Sequence, residues 1–276
     1  MLSLLVVLSA LTFILFPIAC VESEEAVEMA AQRVEGSDVE ITVVFDNYPS
    51  DARLETSWGF ACVIRGLEKT VLFDTGGNGG ILLGNMQTLG FDPAEIEVVV
   101  LSHVHMDHIG GLQAFLSRNG DVTVYMPASF PDGIGELVRN AGGRVVAVDE
   151  PLEIFSGFHS TGEMGEAIRE QGIFFRAAEG LVVVTGCAHP GVAEMTARAA
   201  EVGGEAPYLV IGGFHLGGTD DATVGAIIER LRSLGIRRAL PTHCTGDRAR
   251  ELFRQALGDG YIEGGLGTTI QIAASQ

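Results

Sequence analysis

Lysine is almost missing from this chain. Lys69 is the only one, beside sixteen arginines, while Asp and Glu number 36 and the formal net charge is −19. So acidic a surface excludes a nucleic-acid backbone as partner, because the phosphates would be repelled rather than neutralised. The acidity suits a solvated surface in salt or outside the cell and says little about substrate. Cysteine is also scarce, with only Cys20, Cys62, Cys187 and Cys244 in 276 residues. If Cys20 is modified, three thiols remain, an odd number that argues against a disulfide framework. Fixed-length repeats and low-complexity tracts are lacking as well. The length leaves room for one large domain or two modest ones, with ample apolar content for a core.

Charge is missing from the N-terminus too. "MLSLLVVLSALTFILFPIAC" carries no charged side chain, and the first acidic residue is Glu22. An apolar run of this kind reads as a signal peptide or membrane anchor. Pro17-Ile18-Ala19-Cys20 loosely resembles a bacterial lipobox, which predicts export with lipid attachment at Cys20. A mis-assigned start codon would instead leave the protein in the cytoplasm. Residues 1–20 are therefore set apart from the fold, residues 21–37 read as an acidic tether, and the domain is expected over 38–276.

That body alternates short apolar runs with amphipathic stretches. "VEITVVFD", "GFACVIRG", "KTVLFDTGG" and "IEVVVLSH" read as strands, while "GILLGNMQTLG" and "LQAFLSRNG" read as helices. "DVTVYMP" and "RVVAV" are further strands around the helical "IGELVRNAG". Later, "GLVVVTGC" precedes "VAEMTARAAEVG", "PYLVIGGFH" precedes "TVGAIIERLRSLG", and "RRALPTH" precedes "DRARELFRQALG". Strand, loop and helix in alternation predict an α/β sandwich with functional loops at the strand ends.

The histidines concentrate at those ends. The chain has seven, and three of them, His103, His105 and His108, fall in "LSHVHMDHIGG". His189 in "VVVTGCAHPG", His215 in "VIGGFHLGG" and His243 in "ALPTHCTG" each follow a strand-like run and precede glycine. Only His159 lacks that setting. One such histidine would be a satisfied structural residue; six sharing one context point to a common metal site. His103 and His105 alternate on an extended segment and can face one ion. Asp107 and His108, after the turn, can reach a second. Imidazole and carboxylate suit zinc, and iron or manganese accept similar ligands. Two ions about 3.5–4 Å apart clamp the attacking and leaving oxygens, with Asp107 placed to bind one ion and orient or deprotonate water.

"SHVHMDHIGG" fits the pattern His-x-His-x-Asp-His and so resembles the metallo-β-lactamase fold superfamily; "VLFDTGG" resembles its first motif. The resemblance covers roughly residues 40–275. It implies a four-layered αββα sandwich, with metals at one edge between two sheets and Asp74 orienting the ligands from behind. It also implies His243 as the last ligand of the second ion. The wider superfamily has a bridging Asp where this chain reads "TGC", so Cys187 stands at that position, and His189, Cys187 or His159 is left to complete the shell of the first ion. His215 lies near enough to bind metal or substrate. The phrases "VVVTGCAHPG", "VIGGFHLGG" and "LPTHCTG" are similar to the branch that includes the dihydropterin–ribofuranosylaminobenzene 5'-phosphate synthases, whose members often carry only the label of metal-dependent hydrolase.

The expected activity is hydrolysis of a small-molecule ester, phosphoester or amide by a dinuclear zinc site, with Asp107 and His215 as the catalytic side chains. It should decline below about pH 6 as imidazoles protonate. Two other classes stay open: a pterin-type transferase, and a metal-holding or redox protein. Di-iron electron-transfer relatives usually carry Glu at the position of His105, which weighs against the last. The stretch from Met126 to Met164 separates the two metal-binding halves and is expected to shape the entrance.

Overall fold

The computed structural model describes residues 38–273. The N-terminal segment read as a signal peptide or anchor, with Cys20 and the acidic tether, lies outside the described residues. Among the described residues no helix is long and apolar enough to cross a membrane.

Among the described residues, thirteen strands build two sheets. The first has the order β13-β1-β2-β3-β4-β5-β6, from β1 (Val39–Phe45), β2 (Ala61–Arg65), β3 (Val71–Phe73), β4 (Val98–Val100), β5 (Thr123–Pro127), β6 (Arg144–Val148) and β13 (Thr269–Ile272). The second runs β12-β11-β10-β9-β8-β7, from β7 (Leu152–Phe155), β8 (Phe158–Ser160), β9 (Ile173–Ala177), β10 (Gly180–Thr185), β11 (Pro207–Gly213) and β12 (Arg238–Thr242). Strands β3 to β6 pair in parallel, as do β10, β11 and β12. The remaining neighbours, including β1 with β13, are antiparallel.

The alternation of side chains along each strand explains the layers. In β4, Val98 and Val100 face the space between the sheets, while Val99 turns the other way. In β10, Val182 and Val184 join the same central layer, and Leu181 and Val183 point outward. Successive side chains leave a strand on opposite faces, so a run such as "VVVL" or "LVVV" is buried only if both faces are covered. Helices supply the covers. On the first sheet lie α1 (Gly79–Leu89), the short α2 (Met106–Ile109), α3 (Leu112–Leu116) and α4 (Asp132–Asn140); on the second lie α5 (Val192–Gly203), α6 (Asp221–Leu234) and α7 (Asp247–Leu257). The order helix, sheet, sheet, helix is the expected αββα sandwich.

The helices obey the same rule at their own period. In α6, Val224, Ile228 and Leu231 form one buried stripe, at the spacing of a core-facing helix. Asp220 accepts hydrogen bonds from the Ala222 and Thr223 amides, and Gly235 ends the helix at φ 115°, an N-cap and a left-handed stop. Each fully buried Val, Leu, Ile or Phe contributes roughly 1.5–3 kcal/mol. Strands β7, β8, β9 and β13 lie outside the runs that the sequence marks as strands. β7 and β8 form an edge hairpin of 4 and 3 residues, too short for a period to show. The stretch expected to shape the entrance thus contributes α4, the edge strands β6 and β7, and β8 beside β7.

Candidate metal centre

The parallel strands of both sheets bring their carboxyl ends to one place. β3 ends at Phe73, and Asp74 follows; β4 leads into His103, then His105 at the start of α2, which carries Asp107 and His108. β10 leads into Cys187 and His189, β11 into His215, and β12 into His243 and Cys244. Four non-glycine residues have positive φ among the described residues: Asp74 (57°), Ala188 (58°), His215 (51°) and His243 (50°). All four sit at these strand ends. A left-handed L-residue costs roughly 1–2 kcal/mol, and strain of this kind collects where a site dictates the backbone.

One carboxylate sets the proton positions on two histidines. Asp74 is fully buried; its Oδ1 accepts the Ser102 amide at 2.7 Å, and its Oδ2 accepts the Ser102 hydroxyl at 2.7 Å and His108 Nδ1 at 2.7 Å. The Ser102 hydroxyl proton is thereby used, so Ser102 Oγ accepts from His103 Nδ1 at 2.9 Å. With Nδ1 donating, each ring in its neutral form presents its lone pair on Nε2. Gly186 is required beside this network, because a Cβ there would overlap the Ser102 side chain. His243 reaches the same state differently. Asn47 Nδ2 donates to the His243 carbonyl at 3.3 Å, which orients the amide so that Asn47 Oδ1 accepts from His243 Nδ1 at 3.0 Å.

The lone pairs then meet. His108 Nε2 lies 3.3 Å from His243 Nε2 and 3.2 Å from Cys187 Sγ, and Asp107 Oδ2 is 3.3 Å from His243 Nε2. Two imidazole lone pairs at that distance repel unless a proton or cation stands between them. His103 Nε2 is 3.1 Å from His105 Nδ1, and the buried His189 Nε2 has no hydrogen-bond partner. Donor atoms within 4.8 Å of one another fall into three groups: Asp107, His108, Cys187 and His243; His103, His105 and His189; and Cys187, His215 and Cys244. Imidazole nitrogen, carboxylate oxygen and thiolate fit zinc, and the nitrogen and oxygen donors also fit iron or manganese.

Electrostatics support cation binding. Burial, followed by the neighbouring imidazoles, holds His103 well below the ordinary imidazole range. Burial and the nearby His215 and His105 lower His189 to about 4. Both rings are thus neutral at physiological pH. Burial works to raise the Asp107 carboxyl, but His243 and His108 outweigh it and hold the group below its usual range.

All the metal ligands expected from the sequence, and Asp74 behind them, meet here. His159 does not: its ring stacks on Phe174 at 5.0 Å between centroids, outside the three groups. Four further residues support the site without being among the expected ligands: Ser102, Asp46, Asn47 and Glu170. Glu170 Oε1 accepts the amides of Gly186, Cys187 and Ala188 at 3.1, 2.9 and 2.8 Å, and Oε2 accepts that of His189 at 2.9 Å. It clamps the loop after β10, and burial pushes its pKa up to about 7. Asp46, also pushed up to about 7 by burial, accepts the His243 amide at 3.3 Å and the Thr242 hydroxyl. An Asp closing the apolar run "VVFD" was the available signal; Glu170 in "AIREQG" had none. At the rim, Trp58 is 57% exposed and its ring lies 4.8 Å from that of His243. Met106, 68% exposed, adds a second apolar side chain.

Comparisons with known proteins agree with this arrangement. The family model described as metallo-beta-lactamase superfamily matches residues 59–243. A curated relative, the 7,8-dihydropterin-6-methyl-4-(beta-D-ribofuranosyl)-aminobenzene-5'-phosphate synthase of Methanocaldococcus jannaschii, is 26% identical over 235 residues, covering 69% of this chain and 80% of that protein. The crystal structure of Tm1679, a metal-dependent hydrolase of the beta-lactamase superfamily, superposes with a TM-score of 0.72 at 26% identity, over 85% of this chain and 99% of that one. The metallo-beta-lactamase fold protein YhfI from Bacillus subtilis gives a TM-score of 0.60 at 17% identity, over 85% of this chain and 100% of that one, a likeness of fold alone.

Proposed function

The chain belongs to the metallo-β-lactamase superfamily, and from that premise we propose that it is a hydrolase that uses two zinc ions against an ester, phosphoester or amide of a small molecule. His103, His105 and His189 would hold one ion; Asp107, His108, Cys187 and His243 would hold the other. The observation that carries the reading is the 3.3 Å approach of His108 Nε2 and His243 Nε2, whose Nδ1 positions are already committed to Asp74 and Asn47. Only a shared proton or a cation relieves that contact, and Asp107 and Cys187 stand beside it as two further donors. Zinc held there would supply Lewis acidity, bringing the pKa of water toward neutrality and polarising the oxygen under attack.

The chain's own groups account for the remaining work. Asp107, with one carboxylate oxygen facing His243, is placed to orient a water as a hydrogen-bond acceptor. His215 is exposed at the mouth, and its neighbour Cys244 raises its pKa above the ordinary imidazole value against the opposing effect of burial. That shift favours the protonated ring, which faces the mouth where a leaving group or a developing oxyanion would stand. The deciding experiment counts metals per chain by mass spectrometry, on protein purified without chelators or added metal, followed by assays with esters, phosphodiesters, amides and the β-lactam nitrocefin. Close to two zinc ions, and turnover lost in Asp107→Ala and His243→Ala, are expected. Full metal content and turnover in both variants would refute the assignment.

A second reading rests on the similarity to the M. jannaschii synthase: the same metal centre would serve a transferase that joins a dihydropterin to a ribofuranosylaminobenzene phosphate. Incubation with a dihydropterin pyrophosphate and the aminobenzene partner separates the two, since only the transferase consumes both.

A further inference from the structure

We propose that Cys187, His215 and Cys244 form a third cation site, selective for a thiophilic ion, on the wall of the metal centre. Their sulfur and nitrogen atoms lie within 4.8 Å of one another, although the three residues follow three different strands. Cys187 comes two residues after β10, His215 two after β11, and Cys244 two after β12. Parallel neighbours in one sheet, whose ends fall within one residue of register, bring the three together.

The backbone is shaped to permit this. Gly213, at the end of β11, lies so close that a Cβ would be 2.7 Å from Cys244 Sγ, and any side chain there would displace the sulfur. His215 takes its positive φ of 51° and brings its ring to 4.3 Å from that of His189. Cys244 Sγ reaches the Cys187 carbonyl at 3.7 Å, and neither cysteine is in a disulfide.

The donor chemistry separates this group from the other two. The group of His103, His105 and His189 has no sulfur, and that of Asp107, His108, Cys187 and His243 has one. Two thiolates with one imidazole form the softest donor set here, and three protein ligands leave a fourth position open. Binding displaces to solvent the protons carried by the two sulfurs and the His215 ring and forms two metal–sulfur bonds and one metal–nitrogen bond, with no change of oxidation state. Occupancy withdraws Cys187 from the proposed second zinc ion and His215 from proton transfer, so a thiophilic ion at this group excludes turnover.

Cadmium chloride titrated into the full, zinc-containing chain tests this, followed by ultraviolet thiolate-to-cadmium charge transfer and cadmium-113 NMR. The expected result is a charge-transfer band that falls to about half in Cys244→Ser, with cadmium affinity lower by at least about tenfold, the smaller effect of disturbing even a ligand's supporting group. Cys20 and Cys62 contribute equally to both proteins and cancel in the difference. An unchanged band in Cys244→Ser overturns the proposal. If that variant does not fold, the wild-type NMR decides: a resonance in the range of two-sulfur ligation supports the site, and resonances confined to nitrogen and oxygen ligation overturn it. The zinc count before cadmium is added reports separately on the dinuclear reading, so the two proposals fail by different observations.

Discussion

Replacing Asp74 by Asn tests whether one buried carboxylate dictates which histidine nitrogens face the metal. As an aspartate it receives three hydrogen bonds of 2.7 Å, two from Ser102 and one from His108 Nδ1. In the Asn variant one oxygen still accepts the Ser102 amide, but the other atom becomes an NH2 donor. The Ser102 hydroxyl can rotate to accept. His108 can accept only by shifting its proton from Nδ1 to Nε2, which then points at His243 Nε2, 3.3 Å away. The shift removes the lone pair that would bind zinc and satisfies the facing imidazole with a hydrogen bond. The metal-free variant should therefore fold with stability within about 1 kcal/mol of wild type, since one net hydrogen bond is exchanged for another. Zinc affinity at the group of Asp107, His108, Cys187 and His243 should fall by about 10- to 100-fold, as for other groups that orient ligands, equivalent to about 1.4–2.8 kcal/mol. Competition against a chromophoric chelator measures the affinity, and nitrogen-15 NMR of the imidazoles reports the tautomer. An Asp74→Asn protein with wild-type affinity, or with the His108 proton still on Nδ1, would refute the reasoning.

Further expectations follow from the supporting residues. Glu170→Ala leaves four buried amides without an acceptor at about 1–3 kcal/mol each; a loss of at least about 3 kcal/mol should lower Tm by roughly 6–12 °C, whereas Glu170→Gln should recover part of it. Gly186→Ala drives a methyl group into Ser102 and should destabilise by about 1–3 kcal/mol in denaturant titration. Burial holds the His189 pKa to about 4, from 6.5, so the unfolded chain takes up a proton in that window that the fold refuses, and stability contributed by this group rises with pH from about 4 to 6.5. Asp46 and Glu170, pushed up to about 7 by burial, act in the opposite sense, so the group is isolated by difference: metal-free His189→Gln should gain Tm relative to wild type as pH falls from about 6.5 to 4, and a constant difference would contradict the assignment. Trp58 is the chain's only tryptophan and lies 4.8 Å from the His243 ring, so cobalt binding should quench its fluorescence; unquenched emission at full occupancy would place the ion elsewhere.

Much of the fold could be read because burial dictates strand composition. Apolar runs such as "VVVL" and "LVVV" are stable only between two covered faces, and amphipathic helices such as "TVGAIIERLRSLG" announce the cover. The hairpin of β7 and β8 could not be read, since strands of 4 and 3 residues at a sheet edge carry no complete period. The donors were legible for a related reason: histidines after apolar runs mark strand ends, where side chains leave the core. Their supports were not. Ser102, Asn47 and Glu170 are ordinary polar residues, and Glu170 becomes a clamp only when its carboxylate meets the four amides after β10.

By itself the sequence determined which atoms could bind a cation and where the longer apolar strands lie, because side-chain chemistry and apolar periodicity are local properties. Tertiary structure alone decided the grouping of those atoms. His108 and His243 are 135 residues apart, yet their nitrogens stand 3.3 Å from each other. Parallel strands of two facing sheets end at the same edge, and that juxtaposition is set by the closure of the core rather than by spacing along the chain. The proton positions were decided there too: Asp74 and Asn47 choose them through hydrogen bonds that exist only once the sheets have packed.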